Sequence, residues 1–171
     1  GGPDSTTDML QHTDPSLHAA RRARYLAALG TDAALLAAPA HHHRNADSEY
    51  RYRQASDLYY LTGWEDPEAV ALFRPGAEQP FVLFVQAKDP EREVWTGRRE
   101  GVEGAVERYG ADAAYPIAEL PSRLGALLFG HSTLHYRPGE DAGLDRTLFS
   151  AVRSMARPAA RNGGDIPWKF P

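Results

Sequence analysis

Short apolar runs alternate along the chain with amphipathic segments, and this alternation predicts the secondary structure. The apolar runs are bounded by glycine, proline or polar residues, which is typical of buried strands. Strands are predicted at residues 32–38, 58–61, 69–73, 81–85, 93–95, 113–115 and 133–136. Pro75 and Gly76 lie in the polar linker between 69–73 and 81–85, so these two strands are predicted to form a hairpin.

The first helix is predicted to begin with Asp14 as its N-cap and Pro15 in its first turn, and to end at Gly30. The residues expected on its buried stripe are Ala19, Ala23 and Leu26, and those expected to face water are Arg21, Arg22 and Arg24.

Three further helices are predicted from apolar residues at helical spacing, at 102–109, 117–127 and 144–155. Pro121 is tolerable because it falls in the first turn of its helix. The last helix is expected to end before Pro158.

Alternating helices and strands around a hairpin predict an α/β fold with three layers, in which helices flank a mixed central sheet. Residues 1–13 are expected to form a disordered tail or one introduced by cloning, 14–160 the domain, and 161–171 a tail or the start of an interdomain linker. Trp168 and Phe170 make that last segment too apolar for a free end, so we expect it to dock on another surface.

Composition narrows the classes of function. The 171 residues carry a net charge of −4, which argues against a nucleic-acid partner. The absence of cysteine excludes disulfides and thiolate metal sites. No stretch has the length of a membrane span and no secretory signal is evident, so we expect a cytoplasmic protein without a membrane partner.

The sequence contains no recognisable catalytic set. There is no H-E-x-x-H pair and no G-x-S-x-G turn, and the acidic residues are scattered. His41, His42 and His43 cannot all point one way, which favours an exposed loop over a metal site. We therefore predict no catalytic residue and no metal ligand in this chain.

The most distinctive stretch is 45–64, NADSEYRYRQASDLYYLTGW, a polar aromatic loop that runs into the predicted strand 58–61. Together with Glu65–Val70 and the run KDPEREVWTGRR at 88–99, it resembles the N-terminal domain of Xaa-Pro aminopeptidase, of the creatinase and prolidase group. The resemblance spans roughly residues 16–160 and implies a creatinase N-terminal-like, ribonuclease H-like fold. One departure is Leu58, where the family commonly has an aromatic residue.

The resemblance also implies a function. The parent protein would release the N-terminal residue that precedes proline, using Mn²⁺ or another divalent metal. The metal ligands would belong to a second, C-terminal pita-bread domain, so this chain would be inactive alone. Its roles would be homo-oligomer assembly and control of the access of peptides with proline at the second position.

Four residues are candidates for a role in the parent protein, and the family resemblance supplies the first two. Trp95 matches a tryptophan that reaches towards a neighbouring subunit's active site, and Asp47 matches an acidic position near the peptide's amino end. Arg98 and Arg99 are candidates for a subunit contact. The structural alternatives are a core tryptophan, a turn cap and two solvated arginines.

Two other functions remain open. One is a free-standing protein-binding module of the same fold, as in the peptidase-like domains of a eukaryotic histone chaperone. The other is a nuclease-like domain, which the negative charge and scattered acids disfavour.

Overall fold

The computed structural model describes residues 14–38, 56–88 and 100–161. In chain order the elements are α1 (Pro15–Leu29), β1 (Ala33–Ala37), α2 (Ser56–Thr62), β2 (Val70–Phe73), β3 (Phe81–Val85), α3 (Gly101–Glu107), β4 (Ala113–Pro116), a 3₁₀ turn (Ile117–Glu119), α4 (Leu120–Leu128), β5 (Leu134–His135) and α5 (Ala142–Arg161).

The five strands form one mixed sheet in the order β4-β3-β2-β1-β5. Antiparallel pairing joins β2 to both of its neighbours, with Leu35 opposite Leu72 and Ala71 opposite Leu83. The outer pairs, β3 with β4 and β1 with β5, are parallel. It follows that β1, β3, β4 and β5 all point the same way and that β2 alone runs against them.

Helices cover both faces of the sheet and make three layers. On one face, the buried residues of α4 and α5, among them Leu124 and Leu148, pack on Leu72 and Phe84. On the other face, α1, α2 and α3 pack on the neighbouring strand residues, which include Phe73. Because both faces are buried, β2 and β3 are apolar throughout instead of alternating with polar residues. The predicted three-layer α/β fold is thus confirmed.

Most of the predicted elements in the described residues are present. The hairpin, α1 and the strands after Asp32, Asp112 and Thr133 are found close to their predicted positions. Pro121 lies in the first turn of α4, as predicted. The predicted strand at 93–95, His41–His43, Trp168 and Phe170 lie outside the described residues.

Three predictions are wrong. Residues 58–61 are helical, within α2, and are not a strand. On α1 the buried residues are His18 and Arg22, whereas Ala19 and Ala23 are exposed. The last helix continues through Pro158 to Arg161, because an internal proline removes one hydrogen bond and does not oblige a helix to end.

Candidate functional site at the carboxyl edge of the sheet

The carboxyl ends of β1, β3, β4 and β5 lie along one edge of the sheet, and this edge collects the segments of interest. The chain leaves β1 at Ala38, whose N–H donates to the Ala69 carbonyl at 2.8 Å, and leaves β3 towards Lys88. Since only β2 separates β1 from β3, the two departure points are about two strand spacings, roughly 10 Å, apart.

The four candidate residues lie in the segments that follow these departure points. Asp47 belongs to 39–55, and Trp95, Arg98 and Arg99 belong to 89–99; all four lie outside the described residues. Their proposed contacts therefore remain predictions. What the described residues add is that both segments are attached to the same edge of the sheet.

The short helix α2 follows directly after segment 39–55. Side chains of α1 contact the main-chain carbonyls at the carboxyl end of α2. The His18 ring lies with Nδ1 2.9 Å from the Tyr60 carbonyl, to which Arg21 donates at 3.2 Å. Arg22 donates to the Leu61 carbonyl at 2.9 Å. The Leu58 carbonyl accepts from the Thr62 hydroxyl at 2.6 Å, and the Tyr59 carbonyl accepts from the Gly63 N–H at 2.7 Å. All four carbonyls from Leu58 to Leu61 therefore have partners.

Burial makes these contacts specific. Only 4% of His18 and 9% of Arg22 is exposed, and the Arg22 guanidinium lies 4.6 Å from the Phe81 ring centre. A Cβ on Gly63 would come within 2.9 Å of His18 Nε2, and one on Gly110 within 2.8 Å of Arg22 Nη2. An alanine at either position would therefore require His18 or Arg22 to shift.

Burial changes the pKa values of both His18 and Arg22. Burial lowers the pKa of His18, and the neighbouring Arg21 and Arg22 lower it further, against the opposing effect of the hydrogen bond to Tyr60. Burial likewise lowers the pKa of Arg22. His18 is therefore expected to be neutral, with its Nδ1 hydrogen donated to the Tyr60 carbonyl.

Sequence reasoning missed this group because it placed the buried stripe of α1 on alanines. A signal was present: His18, Arg22, Tyr25 and Leu29 recur at the spacing of a single helix face. Treating arginine as a surface residue hid that pattern, although its aliphatic stem and planar end suit a buried helix terminus.

A second feature of the same edge is a crevice between the ends of β1 and β5. After β1 the chain goes to α2 on one face of the sheet, and after β5 it goes to α5 on the opposite face. The described elements that follow the two strands therefore lie on opposite faces, and a cavity of about 290 Å³ lies at the ends of β1 and β5. Sequence reasoning did not find this crevice, because its walls come from five separate elements and the β5–α5 turn.

The crevice has an apolar interior and a charged rim. Leu35, Leu58 and Leu144 are buried in its walls. At the rim, Arg137 donates to Asp57 Oδ2 at 3.1 Å and so joins the β5–α5 turn to α2. Glu140 and Asp141 also lie at the rim and are exposed.

Tyr136 and the first turn of α5 close one side of this crevice. The Tyr136 hydroxyl donates to Asp145 Oδ1 at 2.5 Å, and Asp145 Oδ2 accepts from the Gly139 N–H at 3.0 Å. Burial, followed by the hydrogen bond to Asp145 and the nearby carboxylates, raises the pKa of Tyr136 well above its ordinary value. The hydroxyl thus keeps its proton.

Among the described residues, no group of three or more histidine or acidic side chains could hold a metal ion. The His135 ring contacts only one carboxylate in this region, with Nε2 3.0 Å from Asp32 Oδ2. In the same described ranges, no helix is long and apolar enough to cross a membrane.

Comparison with known proteins relates this fold to one family. The family model described as "Aminopeptidase P, N-terminal domain" matches residues 18–135. The chain is 37% identical over 135 residues to the Xaa-Pro aminopeptidase of Escherichia coli K12, a match that covers 78% of this chain and 30% of that enzyme.

Solved structures agree. The aminopeptidase PepP of Pseudomonas aeruginosa superposes with a TM-score of 0.78 and 38% identity, over 93% of this chain and 36% of that one. Zn-substituted aminopeptidase P of E. coli, in complex with product, gives a TM-score of 0.74 and 33% identity, over 88% and 35%. The chain thus spans about a third of the length of these relatives, and it belongs to the aminopeptidase P N-terminal domain family.

Proposed function

We propose that this chain acts as the non-catalytic N-terminal domain of a Xaa-Pro aminopeptidase, an enzyme that releases the N-terminal residue preceding proline. The observation that carries the proposal is the family match over residues 18–135, in a chain whose described residues hold no cluster of metal ligands. In this proposal the chain contributes to homo-oligomer assembly and to substrate access in the cytoplasm.

The hydrolytic metal does not fit the described residues. A two-metal hydrolase needs carboxylates and histidines that converge on both ions, and the described residues bring no three such groups together. In the proposal, Mn²⁺ or another divalent ion is bound by a C-terminal pita-bread domain of the same polypeptide, and no step of the reaction involves the residues described above.

The proposed roles of Asp47 and Trp95 in substrate access are supported by the positions at which segments 39–55 and 89–99 attach to the sheet. Ala38 and Lys88 precede the segments that carry Asp47 and Trp95, and both lie at the same edge of the sheet, which supports a shared role for these two residues. Trp95 would form an apolar wall that receives a proline ring, and Asp47 would attract the cationic amino end of the peptide. Arg98 and Arg99 would pair with acidic groups of a neighbouring subunit.

Activity with and without the downstream part of the gene tests the proposal. We expect the purified 171-residue chain with Mn²⁺ to leave a Xaa-Pro peptide uncut. The product of the native gene, including any sequence that follows Pro171, should release the first residue. Free amino acid would be measured by mass spectrometry, with a peptide lacking proline at its second position as the control.

Turnover by the 171-residue chain itself would refute the non-catalytic role. A native gene that ends at Pro171, whose product retains a protein partner in pull-down and cuts no Xaa-Pro peptide, would instead establish the binding-module alternative.

A further inference from the structure

The proposed function assigns no role to the crevice between β1 and β5. Its position in the sheet and the residues that line it are typical of a binding site. In open α/β sheets, ligands bind outside the carboxyl ends of strands, at the point where successive connections go to opposite faces. The helices that follow β1 and β5 among the described residues, α2 and α5, lie on opposite faces in this way, and a cavity of about 290 Å³ lies at the carboxyl ends of the two strands. That volume is near the lower limit for small-molecule pockets, so it suits one side chain.

The rim favours a cation. Three carboxylates line the cavity, those of Asp57, Glu140 and Asp141, against the single guanidinium of Arg137. Arg137 is paired with Asp57 at 3.1 Å, which leaves the charges of Glu140 and Asp141 to set the sign at the mouth. Asp145 lies just behind, held by Tyr136 and Gly139.

An anion is disfavoured even though α5 begins beside the cavity. Two amide groups that a phosphate or carboxylate could use, those of Leu144 and Gly139, are already engaged by the chain's own side chains. Asp141 Oδ1 accepts from the Leu144 N–H at 3.0 Å, and Asp145 accepts from Gly139. An added anion would meet these carboxylates directly.

The walls favour a cation carried on an apolar stem. Leu36 and Ala37 line the cavity and are only half-buried, so they leave apolar surface open to it, and the half-buried Tyr25 and Tyr136 supply aromatic surface. Arginine and lysine combine an aliphatic stem with a charged end, and guanidinium groups also stack on aromatic faces. The same chain shows such stacking elsewhere, with Arg123 3.9 Å from the Tyr115 ring centre.

We propose that this crevice binds a basic side chain of a peptide or protein segment, with its aliphatic stem against Leu36 and Ala37 and its charged end between Glu140 and Asp141. The proposal is independent of peptidase activity, because it concerns binding to this chain alone.

Titration of the ¹⁵N-labelled 171-residue chain with Nα-acetyl-arginine amide, followed by NMR, tests this inference. We expect saturable shifts of the backbone amides of Tyr136, Arg137 and Glu140. Nα-acetyl-norleucine amide has a similar stem without the charge and should bind more weakly, and Nα-acetyl-glutamate amide should not shift these amides.

Two matched variants separate the rim charge from general electrostatics. Glu140→Gln should weaken arginine binding about two- to fivefold, the usual effect of removing one exposed charge partner. Glu78→Gln removes an exposed carboxylate from the β2–β3 turn at the opposite edge of the sheet and should leave the affinity unchanged.

Absence of shifts at the crevice up to the solubility of the arginine probe would overturn the proposal, and so would equal affinity for norleucine. Equal weakening by the two variants would also overturn it, because the attraction would then come from overall charge and not from this site.

Discussion

His18 and Arg22 are the residues at which polarity and burial conflict most directly. Each is more than nine-tenths buried, and each contacts a main-chain carbonyl at the end of α2. A buried guanidinium without partners would cost several kcal/mol. Here the helix carbonyls and the face of Phe81 supply the compensating contacts, so polar groups serve as part of the packing between α1 and α2.

The buried His18 should make the stability of the chain sensitive to acid. Its pKa is lowered from 6.5 in the folded state, so the unfolded chain takes up a proton first as the pH falls below that value. The free energy of unfolding should decline from there until the folded pKa is reached, by at most about 1.4 kcal/mol per pH unit for one proton.

The matched variant is His18→Asn, which keeps a donor for the Tyr60 carbonyl but cannot be protonated. Urea unfolding at a series of pH values should show a shallower acid decline for the variant than for the wild type. The charged groups that act on this histidine, Asp14, Arg21 and Arg22, are retained in both proteins. Identical declines would show that His18 does not titrate differently on folding.

At the scale of the element, α2 illustrates how little of a short helix is determined locally. Its seven residues are too few for a stable isolated helix, and Leu58–Leu61 contains two tyrosines, which favour strands. Side chains of α1 engage its terminal carbonyls, and Gly63 takes a positive φ of 76° directly after it. These contacts stabilise the helical conformation over the strand.

Gly63→Ala should destabilise the fold more than a strained φ alone can explain. The new Cβ would lie 2.9 Å from His18 Nε2, in addition to the cost of a positive φ, about 1–2 kcal/mol. Gly76→Ala is the control, because Gly76 has a φ of 84° with nothing within 4 Å.

Both free energies of unfolding would be obtained from urea titrations. The excess loss in Gly63→Ala over Gly76→Ala measures the contact with His18. Equal losses would mean that this contact is loose enough to yield without cost.

At the scale of the whole molecule, the parallel and antiparallel strand pairings decide which chain segments meet at the same edge of the sheet. Because β2 alone runs against the other strands, the chain enters β2 and leaves β1 and β3 at the same edge. Positions far apart in sequence thereby become neighbours, whereas the turns at the opposite edge are set apart from them. A substitution at one edge can therefore be compared with a control substitution at the opposite edge.

If the chain is part of a longer Xaa-Pro aminopeptidase, as proposed, Trp95→Ala in that enzyme should lower kcat/KM for Xaa-Pro peptides by roughly tenfold or more. Losing an aromatic contact in a pocket costs at least about 1.5 kcal/mol. The control is Phe129→Ala, which removes an aromatic side chain that is 76% exposed after α4, at the opposite edge. A comparable loss in both variants, or in neither, would argue against an access role for Trp95.

Much of the fold was predictable from the chain because local signals and burial agree. The apolar runs of β2 and β3 with Pro75-Gly76 between them specify the hairpin, and Asp14-Pro15 specifies the start of α1. The family could also be identified from the blocks at 45–70 and 88–99, which combine order and composition over a long span. The candidate residues Asp47, Trp95, Arg98 and Arg99 stay predictions, since they fall outside the described residues.

The sequence by itself determined the fold class and the positions of most elements, because these depend on hydrophobic periodicity and turn residues that lie close together along the chain. It also identified the family, through the resemblance of the blocks at 45–70 and 88–99. Only the tertiary structure decided that Leu58–Leu61 is helical and that Arg22 is buried. It alone revealed the crevice between β1 and β5. Each of these depends on a partner distant in sequence, such as the carbonyl of Leu61 for Arg22 or Arg137 for Asp57, and no local pattern records which distant groups the sheet brings together.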